Sequence, residues 1–349
     1  MTKTTLASGE AALLLFSGFV AALAITGLVR AYALRRAVID VPNERSSHST
    51  PTPRGGGLSV AVVFFALVGV LGWWGVVSGP VVQALIGGGI AVSAIGWVDD
   101  HRPVSPGWRA VVQFVAAAWA VYVMGGVPGL TVNGAVVPLG WAGSLAAVVG
   151  IVWVTNLYNF MDGIDGLAGT EAVTVGAGGA LLLWWSGAPG LALTAAGLAA
   201  AAAGFLVWNW PPARIFMGDV GSGLIGFCFA VLAVASEHAG AVPVLAWVIL
   251  LGVFIGDASF TLVRRVAGGE RWYTAHRTHA YQRAVQTGMS HRGVTLAVLV
   301  INLLVLLPLA GLAVAYPVLQ AWLLGAVVAG GWMLWLTVQR RWRNMVTQP

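Results

Sequence analysis

Charged side chains are scarce in this sequence. Only 9% of its 349 residues are charged, whereas 58% are apolar and the mean hydropathy is +0.86. A soluble domain carries about 25% charged residues, because its surface must face water. The scarcity of charge excludes an ordinary water-soluble protein and indicates a chain that lies in a lipid bilayer.

Cysteine is nearly absent as well. The single cysteine, Cys228, excludes a disulfide framework and is interpreted as a small packed hydrophobe. The net charge of +6 suggests nucleic-acid binding, but the basic residues are spread over short segments between apolar runs. Because a nucleic-acid-binding domain concentrates its basic residues on one surface, we predict no nucleic-acid partner.

Apolar runs long enough to cross a bilayer recur along the whole chain. They lie near 11–30, 57–77, 82–98, 108–124, 141–158, 168–186, 190–208, 220–237, 241–263, 293–315 and 317–339. These runs predict an all-α fold: one integral membrane domain over 1–349, a polytopic helical bundle of about eleven spans, with ten as the alternative.

The arginines mark one side of this predicted topology. With eleven spans the connecting segments alternate sides, and one set of them, with the adjoining helix ends, holds all 17 arginines. That set comprises 31–56, 99–107, 159–167, 209–219, 264–292 and the tail after 339. The positive-inside rule makes this side cytoplasmic, so we expect a multi-pass protein of the bacterial inner membrane with a periplasmic N-terminus and a cytoplasmic C-terminus.

Two details complete the predicted topology. The first apolar run is long and is followed by five arginines, so we interpret it as a retained helix rather than a cleaved signal peptide. The segment 125–140 lies on the other side and has Asn133-Gly134 between apolar runs. That dipeptide predicts a small periplasmic β-hairpin.

The aspartates also gather on the arginine side. Asp99 and Asp100 end an apolar run, and adjacent carboxylates repel each other unless a cation lies near both. A divalent cation is one partner that fits. The alternatives are ion pairs with Arg102 and Arg109 or a pair of solvated carboxylates that cap a helix end, and the residues alone leave these interpretations open.

A second polar cluster recurs at every third position of another run. Its members are Asn156, Asn159, Asp162 and Asp165. Because residues i and i+3 share a face of a helix, they form a polar ladder. Four amides and carboxylates exceed what a capped, glycine-rich turn needs, so the ladder favours a functional site.

The segment 209–219 forms a third cluster, which runs from Asn209 through two prolines to Asp219. A Gly-Asp-Val-Gly-Ser sequence then opens the next apolar run. Backbone N–H groups at the start of a helix bind anions, and a carboxylate beside them can hold a cation. The alternative is that Asp219 is only the N-terminal cap of that helix.

Two further segments carry basic residues. The arginines of 264–292 suit either a diphosphate or anionic lipid. In the same segment, the spacing of His276 and His279 is a weak zinc signal, and the aspartates elsewhere favour magnesium instead. The Pro- and Gly-rich segment 43–57 is not a Walker A loop, because no Gly-Lys-Ser/Thr follows its glycines.

Together these segments resemble the polyprenyl-phosphate N-acetylhexosamine-1-phosphate transferases. The matching segments, in family order, are DVPNERSSHSTPTPRGGG (40–57), GWVDD (96–100), NLYNFMDGIDGLAG (156–169), NWPPARIFMGDVGSG (209–223) and HRTHAYQR (276–283). The resemblance implies an all-helical membrane enzyme that moves a sugar-1-phosphate from a UDP-sugar to undecaprenyl phosphate and releases UMP. It also implies a requirement for Mg²⁺, with Mn²⁺ as an alternative ion.

The resemblance assigns roles to individual residues, as follows. Catalysis falls to Asp99, Asp100, Asp162, Asp165, His276 and His279; substrate binding to His48, Arg54, Asn156, Asn159, Asn209, Phe216 and Arg277; and metal binding to Asp219, Asp162 and Asn159. The paired aspartates match those proposed to act at the lipid phosphate, and Phe216 matches an aromatic residue that stacks on uracil. The five arginine-side loops between 31 and 292 are expected to form the active site.

The sequence alone leaves several alternative functions open. The loop 276–283 has fewer histidines than many family members, and its pattern is more like that of O-antigen and capsule initiators than of the peptidoglycan translocase. That translocase, which acts on UDP-MurNAc-pentapeptide, is one alternative, and a transporter or flippase with ionisable residues near the bilayer midplane is another. A non-catalytic scaffold is a third. The expected partners are a UDP-sugar of N-acetylhexosamine type, undecaprenyl phosphate and membrane lipid, with a homodimer as one option for assembly.

Overall fold

The computed structural model describes residues 6–42, 50–270 and 276–347, and these residues form thirteen α-helices and two short strand pairs. The helices are α1 (Ser8–Arg36), α2 (Gly57–Trp73), α3 (Gly79–His101), α4 (Pro106–Val123), α5 (Trp141–Phe160), α6 (Leu167–Trp185), α7 (Pro189–Asn209), α8 (Asp219–His238), α9 (Val244–Leu250), α10 (Gly252–Ala267), α11 (Ala280–Gln286), α12 (His291–Ala315) and α13 (Gln320–Thr347). The strands are β1 (Ile39–Asp40), β2 (Thr52–Pro53), β3 (Gly129–Val132) and β4 (Ala135–Pro138).

The predicted all-α polytopic membrane fold is confirmed. In the described part of the chain eight helices are long and apolar enough to cross a membrane, and α9 with α10 makes a ninth if that bent pair is one span. The helices α2 and α4 also lie where spans were predicted, but α2 has only 17 residues and α4 carries Arg109 and Gln113 within 18 residues. The total of eleven spans and their orientation stay predictions.

One predicted span differs from the structure in its shape. The run over 241–263 was expected to be continuous, but the chain bends by 81° between α9 and α10. Glycine is a poor helix former, and Gly252 opens α10 directly after the break. A side chain on Gly252 would also lie 2.9 Å from Val327, so the glycine lets this bend pack against α13.

The helix α8 forms the centre of the bundle. Its membrane-length window is 94% buried, compared with 6% for the last helix, and it packs against α2, α3 and α5. Small residues permit this closeness, as is usual between membrane helices. A Cβ on Gly96 would lie 2.5 Å from the Asp219 carbonyl oxygen, so α3 and the start of α8 touch backbone to backbone.

The predicted β-hairpin is confirmed, and it lies at the far end of α8. Strands β3 and β4 pair antiparallel, with Asn133 and Gly134 at positive φ in the turn, as a type I′ hairpin requires. The Thr131 N–H donates to Glu237 Oε1 at 2.6 Å. Because Glu237 and Asp219 lie at opposite ends of α8, the hairpin and the aspartates are on opposite faces of the bundle.

The arginine-side connections meet at the Asp219 end of α8. The segment that contains β2 pairs with the one that precedes α8, since the Phe216 N–H donates to the Pro53 carbonyl and the Gly56 N–H to the Phe216 carbonyl. On the other side, the Tyr281 hydroxyl donates to the Phe160 carbonyl at 2.9 Å. These contacts, which link distant parts of the sequence, enclose the start of α8.

Candidate active site

The start of α8 is capped by a carboxylate from a different helix. Asp100, at the end of α3, accepts hydrogen bonds from the backbone N–H groups of Asp219 at 2.9 Å and Val220 at 3.3 Å. Its Oδ1 also accepts from Arg54 Nη2 at 2.6 Å, and its side chain is fully buried. A carboxylate at a helix N-terminus is favoured by the exposed N–H groups and by the helix dipole. The cap of α8 is therefore Asp100, and the Asp219 side chain is left free of that task.

Arg109 joins the other two carboxylates of this region. Its Nη1 lies 2.9 Å from Asp99 Oδ2 and 2.9 Å from Asp219 Oδ2. The two carboxylates are also within hydrogen-bonding reach of each other, and the Val104 N–H donates to Asp99 Oδ1 at 2.6 Å. Asp99 and Asp219 thus face one point, although 120 residues separate them.

From the sequence, Arg109 was predicted only as a possible ion-pair partner of Asp99 and Asp100. Its signal was nevertheless present, because Arg109 is the single charged residue of α4. An ionisable residue inside a membrane helix is by default a candidate for function. The pairing of Asp99 with Arg109 matches that interpretation, whereas Asp100 pairs with Arg54, which the sequence did not indicate.

The polar ladder divides between several neighbours. Asn159 donates to Ser222 Oγ on α8 at 3.0 Å and is also hydrogen-bonded to Asp219. One turn earlier, Asn156 donates to Gln113 Oε1 on α4 at 2.6 Å. The ladder is continuous in sequence, but its members have different neighbours: Asn159 contacts α8, whereas Asn156 contacts α4.

Asp162 lies in the same electrostatic environment as the α8 carboxylate. Desolvation raises the pKa of Asp162 well above its usual range, the carboxylates of Asp219 and Asp100 raise that pKa further, and Arg54 lowers it. The repulsion means that several carboxylates share one region that is short of positive charge. A cation in this region would lower the repulsion among these carboxylates.

Asp165 and Asn209 make contacts that hold loops together. Asp165 Oδ2 accepts from the Ala213 N–H at 3.0 Å and lies 3.4 Å from His291 Nδ1. Asn209 accepts from the Gly166 N–H and donates to the Ile215 carbonyl, both at 3.0 Å. These contacts are structural, and the predicted catalytic role of Asp165 and substrate-binding role of Asn209 stay predictions.

The histidine segment is anchored by Asp257 of α10. This buried carboxylate accepts from the backbone N–H groups of Ala280 at 2.7 Å and Tyr281 at 3.0 Å, at the start of α11. Its Oδ1 also lies 3.6 Å from His279 Nδ1. Asp257 therefore caps the N-terminus of α11 and lies beside the ring of His279. The sequence did not predict this role, because His279 is 22 residues away from Asp257.

The remaining predicted substrate and histidine residues occupy varied positions. The ring of His276 stacks on that of His279 with 4.8 Å between centroids. Desolvation, then the charges of His279 and the nearby arginines, lowers the pKa of His276 to about 4, so its ring is neutral at pH 7. Arg277 is exposed, Phe216 is half-buried, and His48 lies outside the described residues.

Asp257→Asn is expected to loosen the start of α11. The amide keeps the size of the side chain but lacks the negative charge of the carboxylate, whose two oxygens accept from two backbone N–H groups. A hydrogen bond to a charged group contributes about 1.5–3 kcal/mol to stability. Amide hydrogen exchange of Ala280 and Tyr281, followed by mass spectrometry, should be at least about tenfold faster than in the wild type. Glu10→Gln, at the opposite end of the bundle, should leave this exchange unchanged, and equal protection in both variants would contradict the anchoring role.

The described residues offer oxygen ligands of the kind that Mg²⁺ prefers. Among them, no group of three or more His, Cys, Asp or Glu side chains is preassembled around a common point. Asp99 and Asp219 do converge on one point, with Asn159 hydrogen-bonded to Asp219. Because Mg²⁺ is usually held by one or two carboxylates together with water and substrate phosphates, this donor set fits it.

Comparisons with known proteins point to the same region of the chain. A family model described as Glycosyl transferase family 4 matches residues 82–237, which contain both the paired aspartates and Asp219. A probable undecaprenyl-phosphate N-acetylglucosaminyl 1-phosphate transferase of Bacillus subtilis is 30% identical over 81% of this chain and 78% of its own length. A decaprenyl-phosphate N-acetylglucosaminephosphotransferase of Mycobacterium tuberculosis is 31% identical over 77% and 74%. A phospho-N-acetylmuramoyl-pentapeptide-transferase of Synechococcus elongatus is 34% identical over only 50% and 51%.

Proposed function

The chain belongs to the polyprenyl-phosphate N-acetylhexosamine-1-phosphate transferases of glycosyl transferase family 4, and from this premise we propose that its donor is a UDP-sugar and its acceptor undecaprenyl phosphate. It is a multi-pass membrane enzyme that transfers a sugar-1-phosphate to a polyprenyl phosphate. The observation that carries the proposal is the convergence of Asp99 and Asp219 on one point, with Asp162 in the same electrostatic environment and two arginines in contact.

The reaction brings two anions together. An oxygen of the lipid phosphate attacks the β-phosphorus of the UDP-sugar, the bond from that phosphorus to the bridging oxygen breaks, and UMP leaves with the electron pair. In such transfers catalysis consists largely of positioning and of charge neutralisation. Asp219, Asp162 and Asn159 would hold Mg²⁺, which when bound neutralises the diphosphate.

The chain's own residues account for the rest of the arrangement. Arg54 donates a hydrogen bond to Asp100, and Asp100 accepts hydrogen bonds from the first N–H groups of α8. These contacts fix the backbone position of Asp219. Asp99 lies at the same point and is the group placed to accept a proton from the lipid phosphate. That need is modest, because the second pKa of a phosphate monoester is about 6. A two-step route through an aspartyl-phosphate uses the same residues.

The site lies at the arginine-bearing end of the helices, which the positive-inside rule assigns to the cytoplasm. The polyprenyl tail would then remain in the bilayer while its phosphate reaches the carboxylates, and the nucleotide sugar would arrive from the cytosol. We propose the bacterial inner membrane as the location and the first membrane step of O-antigen or another envelope glycan as the process. The two relatives matched over most of their length carry N-acetylglucosamine in their names, which favours UDP-N-acetylglucosamine as the donor.

The test is an assay of UMP release. The purified full-length protein in detergent is given undecaprenyl phosphate, Mg²⁺ and one UDP-sugar at a time from a panel that includes UDP-N-acetylglucosamine, 6-deoxy-N-acetylhexosamine donors and UDP-MurNAc-pentapeptide. We expect release with an N-acetylhexosamine donor and only when the lipid is present. Release with the pentapeptide donor alone would favour the peptidoglycan translocase, and transport of a lipid-linked sugar without release of UMP would favour a flippase.

Arg109→Gln is expected to strengthen the binding of Mn²⁺ to the substrate-free protein by about tenfold. The guanidinium neutralises both Asp99 and Asp219, and at a few ångströms one such charge is worth about 4 kcal/mol before solvent compensation. An electron paramagnetic resonance titration measures this binding without any turnover. Arg102→Gln, which changes an exposed arginine in the connection before α4, is the matched control. Unchanged Mn²⁺ affinity in Arg109→Gln would count against a cation site at these carboxylates.

A further inference from the structure

Two arginines near the ends of α10 and α11 have buried N–H groups that lack hydrogen-bond acceptors. Arg283 is only 6% exposed, yet within the described parts of the chain its Nε and Nη1 have no hydrogen-bond partner. The Nε of Arg264 lacks a partner among the same residues. Buried donors of this kind are rarely left unpaired in folded proteins, because each costs free energy. The charge of a third arginine, the exposed Arg343 at the end of α13, acts on both residues. Arg264, Arg283 and Arg343 are called the arginine cluster below.

The cluster is also short of negative charge. Desolvation, followed by the charges of Arg264 and Arg343, lowers the pKa of Arg283 to about 10. Two carboxylates, Glu270 and Asp257, act in the opposite direction. Both are engaged elsewhere, because Glu270 accepts from Arg265 Nε at 2.8 Å and Asp257 accepts from the start of α11. The guanidinium groups therefore repel one another without a dedicated counter-ion among these neighbours.

Neighbouring side chains hold two members of the cluster, Arg264 and Arg283, in place. The guanidinium of Arg283 lies over the ring of Trp342, with its carbon 4.0 Å from the ring centroid. Arg264 Nη1 donates to Gln339 Oε1 at 3.3 Å, and the buried Gln339 donates to the Thr278 carbonyl at 3.5 Å. The donors of these two arginines are thus held in position, which reduces the side-chain entropy that is lost when an anion binds.

We infer that the arginine cluster binds a phosphate group between the ends of α10, α11 and α13. A guanidinium presents parallel N–H donors that match phosphate oxygens, and several of them together suit a phosphate monoester or diester. The anion would supply both the missing acceptors and the missing charge. This site is separate from the carboxylates at the start of α8, and it does not depend on the proposed function.

Two sources can supply such a phosphate. The candidate span that contains α13 is the least buried one, since only 6% of its apolar stretch lies inside the protein. A phospholipid can therefore approach the cluster from the lipid-facing side of α13. The headgroup of an anionic lipid would then reach the cluster at the membrane surface, where lysines and arginines favour such lipids. A soluble phosphate would instead approach from water past Arg343, the exposed member of the cluster. In either case the occupant would stabilise α11, whose first turn lies beside His279.

The experiment measures binding to the purified full-length protein in detergent. Phosphatidylglycerol, phosphatidylcholine and inorganic phosphate are added separately, with native mass spectrometry for bound lipid and the thermal unfolding midpoint for all three. We expect the midpoint to rise with phosphatidylglycerol and not with phosphatidylcholine. A rise with inorganic phosphate as well would identify a soluble phosphate as a sufficient ligand, whereas a rise with neither anion would overturn the site.

Variants separate the cluster from general attraction to a basic surface. Arg343→Gln removes an exposed member and should weaken binding of the effective anion by at least about tenfold. Arg341→Gln, two positions away and so pointing to a different side of α13, should leave that affinity within about twofold. Arg283→Lys keeps a charge but loses the planar fork, and it should also weaken binding. Equal affinity in Arg343→Gln, Arg341→Gln and the wild type would refute the inference.

Discussion

Asp219→Asn is expected to lower the rate of UMP release by at least about a thousandfold while the protein still folds and inserts. Asparagine keeps the size of the side chain and one acceptor oxygen, but it removes the negative charge that faces Asp99 and Arg109. Loss of a single group that stabilises developing charge typically costs about 10²- to 10³-fold, and loss of a metal-binding carboxylate costs at least as much. The measurement is UMP release from the preferred UDP-sugar in detergent, with undecaprenyl phosphate and Mg²⁺ in excess.

The fold itself should tolerate this change. The N-terminus of α8 is capped by Asp100 and not by Asp219, so the thermal unfolding midpoint should stay close to that of the wild type. Glu237→Gln is the matched control, because it neutralises a carboxylate at the other end of the same helix, and it should retain turnover within about twofold. Turnover near the wild-type rate in Asp219→Asn would remove the metal-binding assignment of this residue.

The positions of the helices were readable from the sequence because lipid imposes a simple rule. A membrane helix needs a long apolar run, and most residues of every predicted run lie in helices. Polar residues at the run ends were equally visible, as with Asn159 and Asp219. The bend between α9 and α10 could not be predicted, because the two helices together form one apolar run. The close packing of Gly252 against Val327 is seen only in the structure.

Partners across the bundle could not be read in the same way. The role of Asp257 could not be predicted, because its hydrogen-bond donors are backbone N–H groups of α11, which carry no sequence signal. The ladder from Asn156 to Asp165 was predicted as one unit, since i and i+3 positions share a helix face. The helix ends at Phe160, so Asp162 and Asp165 lie in a turn and contact different neighbours. Sequence periodicity predicts a face only as far as the helix continues.

The adjacent residues Asp99 and Asp100 give the second large prediction, because the structure separates two aspartates that the sequence treats as a pair. Asp100→Ala would leave Arg54 without its carboxylate and the N–H groups of Asp219 and Val220 without a cap. The Asp100 carboxylate is fully buried, and each buried donor that loses its acceptor costs about 1–3 kcal/mol, so we expect a clearly lower thermal unfolding midpoint and little active protein. Asp99→Ala is different, since Arg109 keeps its contact with Asp219 and is itself partly exposed.

For Asp99→Ala we therefore expect a destabilisation of less than about 1 kcal/mol, as for other partly exposed ion pairs, together with a loss of transfer of about a hundredfold or more. The two variants are compared by thermal unfolding in detergent and by UMP release per folded molecule. Asp100→Asn retains an acceptor oxygen and should recover part of the lost stability, whereas Asp99→Asn should recover no activity because the amide cannot accept the proton of the lipid phosphate. If Asp99→Ala and Asp100→Ala unfolded at the same temperature, the division of the pair into a catalytic carboxylate and a structural cap would be wrong.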